Sequence, residues 1–390
     1  MIVRLLKPEE RFDAAKISTV AFHGRIDDIE KARENSLKET IEDWGAFSDD
    51  GKIMARIINN AYTVHLDGTQ VSCGGIGAVS TLPEYREEGA IRAIFQKLLP
   101  EARRRGEVIS ALYPFNHAFY RKFGYETVCK ENTYSFAPDV IRGYHFYGSV
   151  EMFMPGSDVR PYAELYEAFA SRYNLSMVRS DEMMLKQHLN GTWYQDRKFT
   201  YLLRGNDGPV AYLTFQDVRN EPAAILRVRD LAWSGRTGFL AILGFLARFS
   251  ADYGTIELVL PSDLELLSVI RSSNAYGISK STAQGYMVRA VHVPKLLESI
   301  SVPEDESFVI RVQDELIEEN NGTWQVRKHH AEKTDQEPEL VVSERALGQM
   351  AVGAVSLREA ELRNDVEICG DHEKLQRIFV RKPLWVADHF

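Results

Sequence analysis

Apolar and polar positions alternate along this chain in short runs parted by turn residues, and one order of runs occurs twice. The stretch AYTVHLDGTQVSCGGIGAVST reads as two strands around Asp67-Gly68, a favoured two-residue hairpin turn. The second strand runs into Pro83, and a helical pattern opens at Ala90. GEVISALYP then predicts a strand ending at Pro114, and FNHAFYRKFGYE an aromatic helix of two turns that stops at Gly124. Further on, FTYLLRGNDGPVAYLTFQDV predicts a similar hairpin around Asp207-Gly208. It is followed by the strand AAILRVRDLAW, the helix TGFLAILGFLARFSADYG and the strand TIELVLP. A third segment begins near His292. It predicts a helix at KLLESI, a strand pair around Asn321-Gly322, a helix at SERALGQMAVG and a final stretch RIFVRKPLWVADHF. Asn190-Gly191-Thr192-Trp193 matches Asn321 to Trp324, and the two read as unrelated turns, since one follows a helix-like run and the other an alternating strand.

A length of 390 residues suggests two or three domains, each able to bury a core. With 44% hydrophobic and 26% charged residues, the composition is that of an ordinary soluble globular protein. No run of 18 apolar residues predicts a membrane span, and charges in MIVRLLKPEERF interrupt any signal-peptide core, so the expected location is the cytoplasm. Cys73, Cys129 and Cys369 are odd in number and far apart, which argues against a disulfide framework. His329, His330, His372 and His389 form no metal-binding spacing, so no metal is expected. A formal net charge of −9 weighs against nucleic acid and suits a cationic substrate. Asp27, Asp28, Glu30, Glu39, Glu42 and Asp43 fit steering of amines as well as plain solvated faces.

Chemistry concentrates in VSTLPEYREEGAIRAI, where Arg86-x-x-Gly89 sits between a strand and a helix. The first N–H groups of a helix lack intrahelical partners, and the macrodipole adds about half a positive charge there, which suits a diphosphate. By itself this pattern is also a plain strand-to-helix turn. The order of strand, Arg-x-x-Gly loop, helix, strand and Tyr120-x-x-x-Gly124-Tyr125 resembles the GCN5-related N-acetyltransferases (GNAT). The second copy lacks the Pro-x-x-Arg-x-x-Gly spacing and the Tyr-x-x-x-Gly-Tyr, and reads as a structural twin without cofactor.

Over the whole chain the layout is similar to the enhanced intracellular survival (Eis) family. That resemblance implies an α/β fold with mixed sheets: a catalytic GNAT domain at 1–148, a degenerate GNAT-like domain at 149–288 and a sterol-carrier-protein-like domain at 289–390. It implies acetyl-CoA as cosubstrate and transfer of acetyl to primary amines of a cationic, aminoglycoside-like molecule or to lysine side chains. Backbone at Val79, Ser80 and Thr81 would hold pantetheine and the acetyl carbonyl. Arg86, Glu87, Glu88, Gly89, Ala90, Ile91 and Arg92 would bind the diphosphate, and Phe115 with Asn116 the far end of the pantetheine arm. Tyr120 falls on the family's general acid and the carboxylate of Phe390 on its base; a core aromatic and a frayed chain end are the plain alternatives. Glu87 and Glu88 depart from the basic residues common in relatives, which puts cofactor affinity in question. The resemblance further implies a homo-oligomer, a hexamer. A CoA-sensing or lipid-carrying protein without catalysis is the rival reading.

Overall fold

The computed structural model describes residues 1–25, 27, 29–36, 42–189, 197–220, 223–270 and 277–388. In chain order the strands are β1 (Ile2–Leu5), β2 (Glu42–Phe47), β3 (Ile53–Leu66), β4 (Thr69–Thr81), β5 (Ile109–Leu112), β6 (Glu126–Thr127) and β7 (Lys130–Phe136). Next come β8 (Ser149–Met152), β9 (Lys198–Gly205), β10 (Gly208–Asn220), β11 (Ala223–Trp233), β12 (Thr255–Leu260), β13 (Ile278–Gln284) and β14 (Met287–Ala290). The last are β15 (Ser307–Gln313), β16 (Gly322–Arg327), β17 (His330–Lys333), β18 (Leu340–Ser343) and β19 (Val366–Ile368). They form three sheets, ordered β1-β2-β3-β4-β5-β14-β6, β13-β7-β12-β11-β10-β9-β8 and β17-β16-β15-β18-β19. The α/β fold with mixed sheets that the resemblance implies is therefore present.

Compactness divides the chain into two units. One holds Met1–Val128, Gly285–Lys382 and Asp388; the other holds Cys129–Gln284 and Pro383–Ala387. Strands are exchanged along the sequence: β14 enters the first sheet between β5 and β6, and β7 enters the second between β12 and β13. Sheet borders thus fall at 128/129 and 284/285, whereas the linear reading drew them at 148/149 and 288/289.

In the first unit, Asp67 and Gly68 both have positive φ, 49° and 78°, as the tight turn between β3 and β4 requires. Helices α1 (Pro8–Ala21), α2 (Ile29–Ser36), α3 (Ala90–Arg105) and α4 (His117–Arg121) connect the strands. Ile91, Ile94, Phe95, Leu98, Leu99 and Ala102 make one buried stripe on α3, packed with Ile76, Leu112 and Met287 from the sheet. Gly106 ends α3 in the left-handed conformation at φ 91°. Helix α4 is shorter than the two turns expected, because its aromatic side chains turn inward as core and Gly124 breaks it at φ 82°.

The third sheet is tied to the first through a fully buried ion pair. Arg289 on β14 donates to both carboxylate oxygens of Asp314, at 3.0 and 2.6 Å, and to the carbonyl of Phe123 just past α4. Asn320 and the N–H groups of Leu316 and Ile317 donate to the same carboxylate. Burial pushes the Asp314 carboxyl up, but the charge of Arg289 and these donors outweigh it and hold it below the usual range. Glu344 faces the pair, and burial raises its pKa. A Cβ at Gly124 would sit 2.5 Å from Glu344 Oε1 and 2.9 Å from Arg289 Nε, so only glycine fits that corner.

The second unit repeats the plan: the β9–β10 hairpin, β11, a helix Gly235–Leu246 and β12, which pairs parallel to β11. Its interior also holds a buried pair, Arg179 with Asp230, at 2.9 Å, which Tyr212 joins by donating to Asp230.

Removing one partner of a buried pair strands the other charge. Arg289→Met or Asp314→Asn is expected to lower unfolding free energy in urea by about 3–5 kcal/mol, against less than about 1 kcal/mol for breaking the exposed Arg142–Asp139 pair. Because the folded pKa of Asp314 is depressed, its contribution is present above the unfolded carboxylate range and is lost as pH falls through the folded value. Equal losses for the two pairs would remove Arg289 from this role.

Candidate active site

Strand β4 is paired on one side with β3 to its end, at Arg56↔Ser80 and Ala55↔Thr81. On its other side it pairs parallel with β5 only from Cys73↔Ile109 to Ile76↔Leu112. From Gly77 to Thr81 that second edge has no strand partner among the described residues. The cause is local. The β3–β4 register shifts between Arg56 and Ile58, leaving an extra residue on β4, and Ala78 adopts φ 51°, a bulge that re-aims the strand end. Ser80 is buried, and its hydroxyl meets the Ala78 carbonyl at 2.9 Å and the Ser18 hydroxyl of α1 at 3.2 Å.

After β4 the chain makes a short 3-10 turn, Pro83–Tyr85, and reaches α3 through two left-handed residues, Glu87 at φ 71° and Gly89 at φ 80°. Gly89 holds the cap position of α3 with no side-chain cap, so the first-turn N–H groups face outward. No protein atom lies within 4 Å of a Cβ built at Gly89, which leaves open space over the helix end. A cleft of about 560 Å³ occupies that space. The strand end Val79–Thr81 and the loop and helix residues Arg86, Glu87 and Gly89–Arg92 line one part of it; Phe22 of the α1 end and Phe115, Phe119, Lys122 and Phe123 of the α4 region line the other.

Three cations, Arg86, Arg92 and Lys122, face one carboxylate, Glu87, in this lining. None of the three makes an ion pair among the described residues; Arg92 stacks over the Phe123 ring at 5.7 Å. Glu88 is exposed and is not part of the lining. Asn116 is also outside the lining: its side chain caps α4, accepting from the Phe119 N–H at 3.1 Å. Phe115 is 65% exposed and lies on the cleft.

Tyr120 is 2% exposed and packs edge-on to Phe115 and Phe119, with ring centroids 5.2 Å away in each case. Its hydroxyl has no hydrogen-bond partner among the described residues, and burial raises its pKa, so the phenol stays protonated across the neutral range. Phe390 lies outside the described residues. The last described residue, Asp388, is buried, and its main-chain carbonyl accepts from the Tyr286 hydroxyl. The rings of Tyr286 and Tyr113 lie 4.2 Å apart. Tyr62 joins them, its phenol pushed up to about 12 by burial and by the Asp388 carboxylate. These three tyrosines gave no signal in the sequence because they converge only once β3, β5 and β14 are laid side by side. In the second unit a cleft of about 550 Å³ lies by Trp233, Gly235 and Arg236 at the corresponding helix start.

Among the described residues no cluster of histidine, cysteine or carboxylate side chains could hold a metal, and no helix is long and apolar enough to cross a membrane.

Residues 2–128 match the acetyltransferase (GNAT) domain family, and residues 293–387 the sterol carrier protein domain family. A comparison with curated protein sequences finds no match. Solved structures align along the full chain. A GCN5-related N-acetyltransferase from Anabaena variabilis is 22% identical with a TM-score of 0.88, covering 100% of both chains. A probable N-acyltransferase from Enterococcus faecalis is 19% identical with a TM-score of 0.87, covering 100% of this chain and 99% of its own. Eis1 from Mycobacterium abscessus is 18% identical with a TM-score of 0.83, covering 100% of both.

Gly89→Val tests the open space over α3. A β-branched residue at φ 80° is strained, so stability should fall by about 1–3 kcal/mol. The same side chain fills the ground an anion would occupy, so calorimetry should show coenzyme A affinity falling by more than about tenfold. Unchanged affinity in the folded variant would place the anion elsewhere.

Proposed function

We propose, from the match of residues 2–128 to the acetyltransferase (GNAT) domain family and of residues 293–387 to the sterol carrier protein domain family, that this chain moves acetyl from acetyl-CoA to the primary amine of a cationic acceptor. The acceptor class is an aminoglycoside-like small molecule, with lysine side chains as the second candidate. The observation that carries this reading is the unpaired β4 edge from Gly77 to Thr81 opening beside a cation-lined cleft at the start of α3.

Such an edge offers its peptide groups to the pantetheine amides as an added strand would. The α3 N–H groups with Arg86 and Arg92 hold the diphosphate, and Phe115 covers the far part of the arm. Exposure of Glu87 and Glu88 lets both carboxylates turn to solvent, which limits their cost to anion binding.

The amine arrives mostly as ammonium, with a reference pKa of about 10, and must lose a proton before it can attack. The carboxylate of Phe390 takes that proton, through a water where the acceptor is bulky. Nitrogen then bonds to the thioester carbon, and the tetrahedral oxyanion is met by a β4 N–H near Ser80 or Thr81, a donor of a kind worth about 3 kcal/mol. As the carbon–sulfur bond breaks, the Tyr120 phenol gives its proton to the departing thiolate, and the second proton that the attacking nitrogen sheds in becoming a neutral amide returns to the phenolate through solvent. Burial of Tyr120 in an apolar aromatic cluster keeps the phenol in the protonated form a general acid requires, and the same burial makes it a weaker acid than a solvated phenol. The net charge of −9 favours a cationic partner over an anionic one.

Incubation with acetyl-CoA and a panel of amines should release free thiol only when an aminoglycoside-like or lysine-containing acceptor is present. No release with any amine, together with tight acyl-chain binding, would favour the lipid-carrier reading. Tyr120→Phe should bind coenzyme A as the parent does and lose turnover by about 10²-fold or more; full turnover would place the acid elsewhere. A residue appended after Phe390 should abolish turnover, whereas an N-terminal extension should not.

A further inference from the structure

The first sheet has two faces of different character. Residues opposite one another on paired strands share a face, and faces alternate along each strand. Ile76, Leu112 and Met287 stand opposite one another and belong to the core under α3. Tyr62 pairs with Cys73, Cys73 with Ile109 and Ile109 with Ala290, and Gly75, Ala111 and Val288 continue that second face. One step past the last β5–β14 pair on the same face stand Tyr113 and Tyr286, ring against ring. Leu112 is also where β4 and β5 part. The end of the chain comes back to this face, with Asp388 4% exposed and its main-chain carbonyl accepting from the Tyr286 hydroxyl.

We propose that Tyr286 is a positioning residue: its hydroxyl latches the main chain at Asp388 to the sheet face opposite α3, at the level where β4 and β5 separate. The latch fixes the main chain at Asp388, two residues before the carboxylate read above as the base. Tyr113 stiffens the latch by closing on the ring of Tyr286, whose remaining freedom is rotation of the hydroxyl. A main-chain acceptor makes the latch indifferent to the side chain at 388. Geometry of this kind acts on turnover through effective concentration, because a base on a loose tail spends most of its time elsewhere. The inference rests on the reading of Phe390 as the base.

The test compares the full chain with Tyr286→Phe, which removes one oxygen and keeps the ring. Coenzyme A affinity by calorimetry serves as the folding control and should not change. Two readouts should move: kcat for the amine should fall about tenfold with KM for acetyl-CoA unchanged, and release of Phe390 by a carboxypeptidase selective for aromatic residues should speed up about tenfold. Each change is the factor one buried hydrogen bond commands. Parent-like release of Phe390 overturns the latch whatever happens to kcat, since it means the tail is held by other contacts. The extension after Phe390 separates the two ideas. If the extended chain stays active, the terminal base is wrong, while faster release in Tyr286→Phe still establishes the latch. If the extension inactivates and Tyr286→Phe matches the parent in both readouts, the base stands and the latch is wrong.

Discussion

The parting of β4 from β5 is the constraint on which the rest of the first unit depends. Four consecutive parallel pairs, Cys73↔Ile109 to Ile76↔Leu112, hold the two strands together, and a bulge with Ala78 at φ 51° then turns the end of β4 away. A single non-glycine residue in that conformation is sparsely populated unless surrounding structure enforces it. Here the enforcement comes from both sides: β3 keeps pairing through Thr81, and the Ser80 hydroxyl bonds back to the Ala78 carbonyl. An unpaired strand edge next to an uncapped helix start is a poor arrangement for stability. It is a good one for holding an extended amide-bearing arm that ends in a diphosphate.

The buried pair of Arg289 with Asp314 carries this local geometry into the rest of the unit. Arg289 rides on β14, bonds the Phe123 carbonyl at the end of α4 and meets a carboxylate from the loop after β15. The position of the Tyr120 helix is therefore set from below by the sterol-carrier-protein domain, and Gly124 is the corner at which the two meet. Tyr286, the residue just before β14, donates to the main chain at Asp388. One short strand and the residue before it thus bond the chain past α4 through Arg289 and the main chain at Asp388 through Tyr286.

Local signals in the sequence carried much of this. The Asp67-Gly68 turn, the Arg86-x-x-Gly89 loop with α3 starting at Ala90, the Tyr120 helix closed by Gly124 and the repeat around Asp207-Gly208 are all encoded within a few residues of where they act. Pairings between distant segments were not legible. Nothing within Met287–Ala290 says that it will slot between β5 and β6, and nothing within Lys130–Phe136 says that it will leave the sheet of the residues before it. Both are short runs whose partners lie more than a hundred residues away in sequence. The bulge at Ala78 was hidden because alanine gives no hint of a positive φ. Asn116, expected at the pantetheine arm, caps α4 through its side-chain oxygen, a role its place at a short helix start calls for. The cleft face was readable from motif spacing; the tyrosine face was not, because its members come from β3, the residue after β5 and the residue before β14.

Amide hydrogen exchange, with and without coenzyme A, tests the central claim most directly. The ligand is expected to slow exchange at the backbone N–H groups of Gly77 to Thr81 and of Gly89 to Arg92 and to leave the corresponding stretch Arg229 to Arg236 of the second unit unaffected. Binding without protection at either site, or protection centred on the second unit, would contradict it.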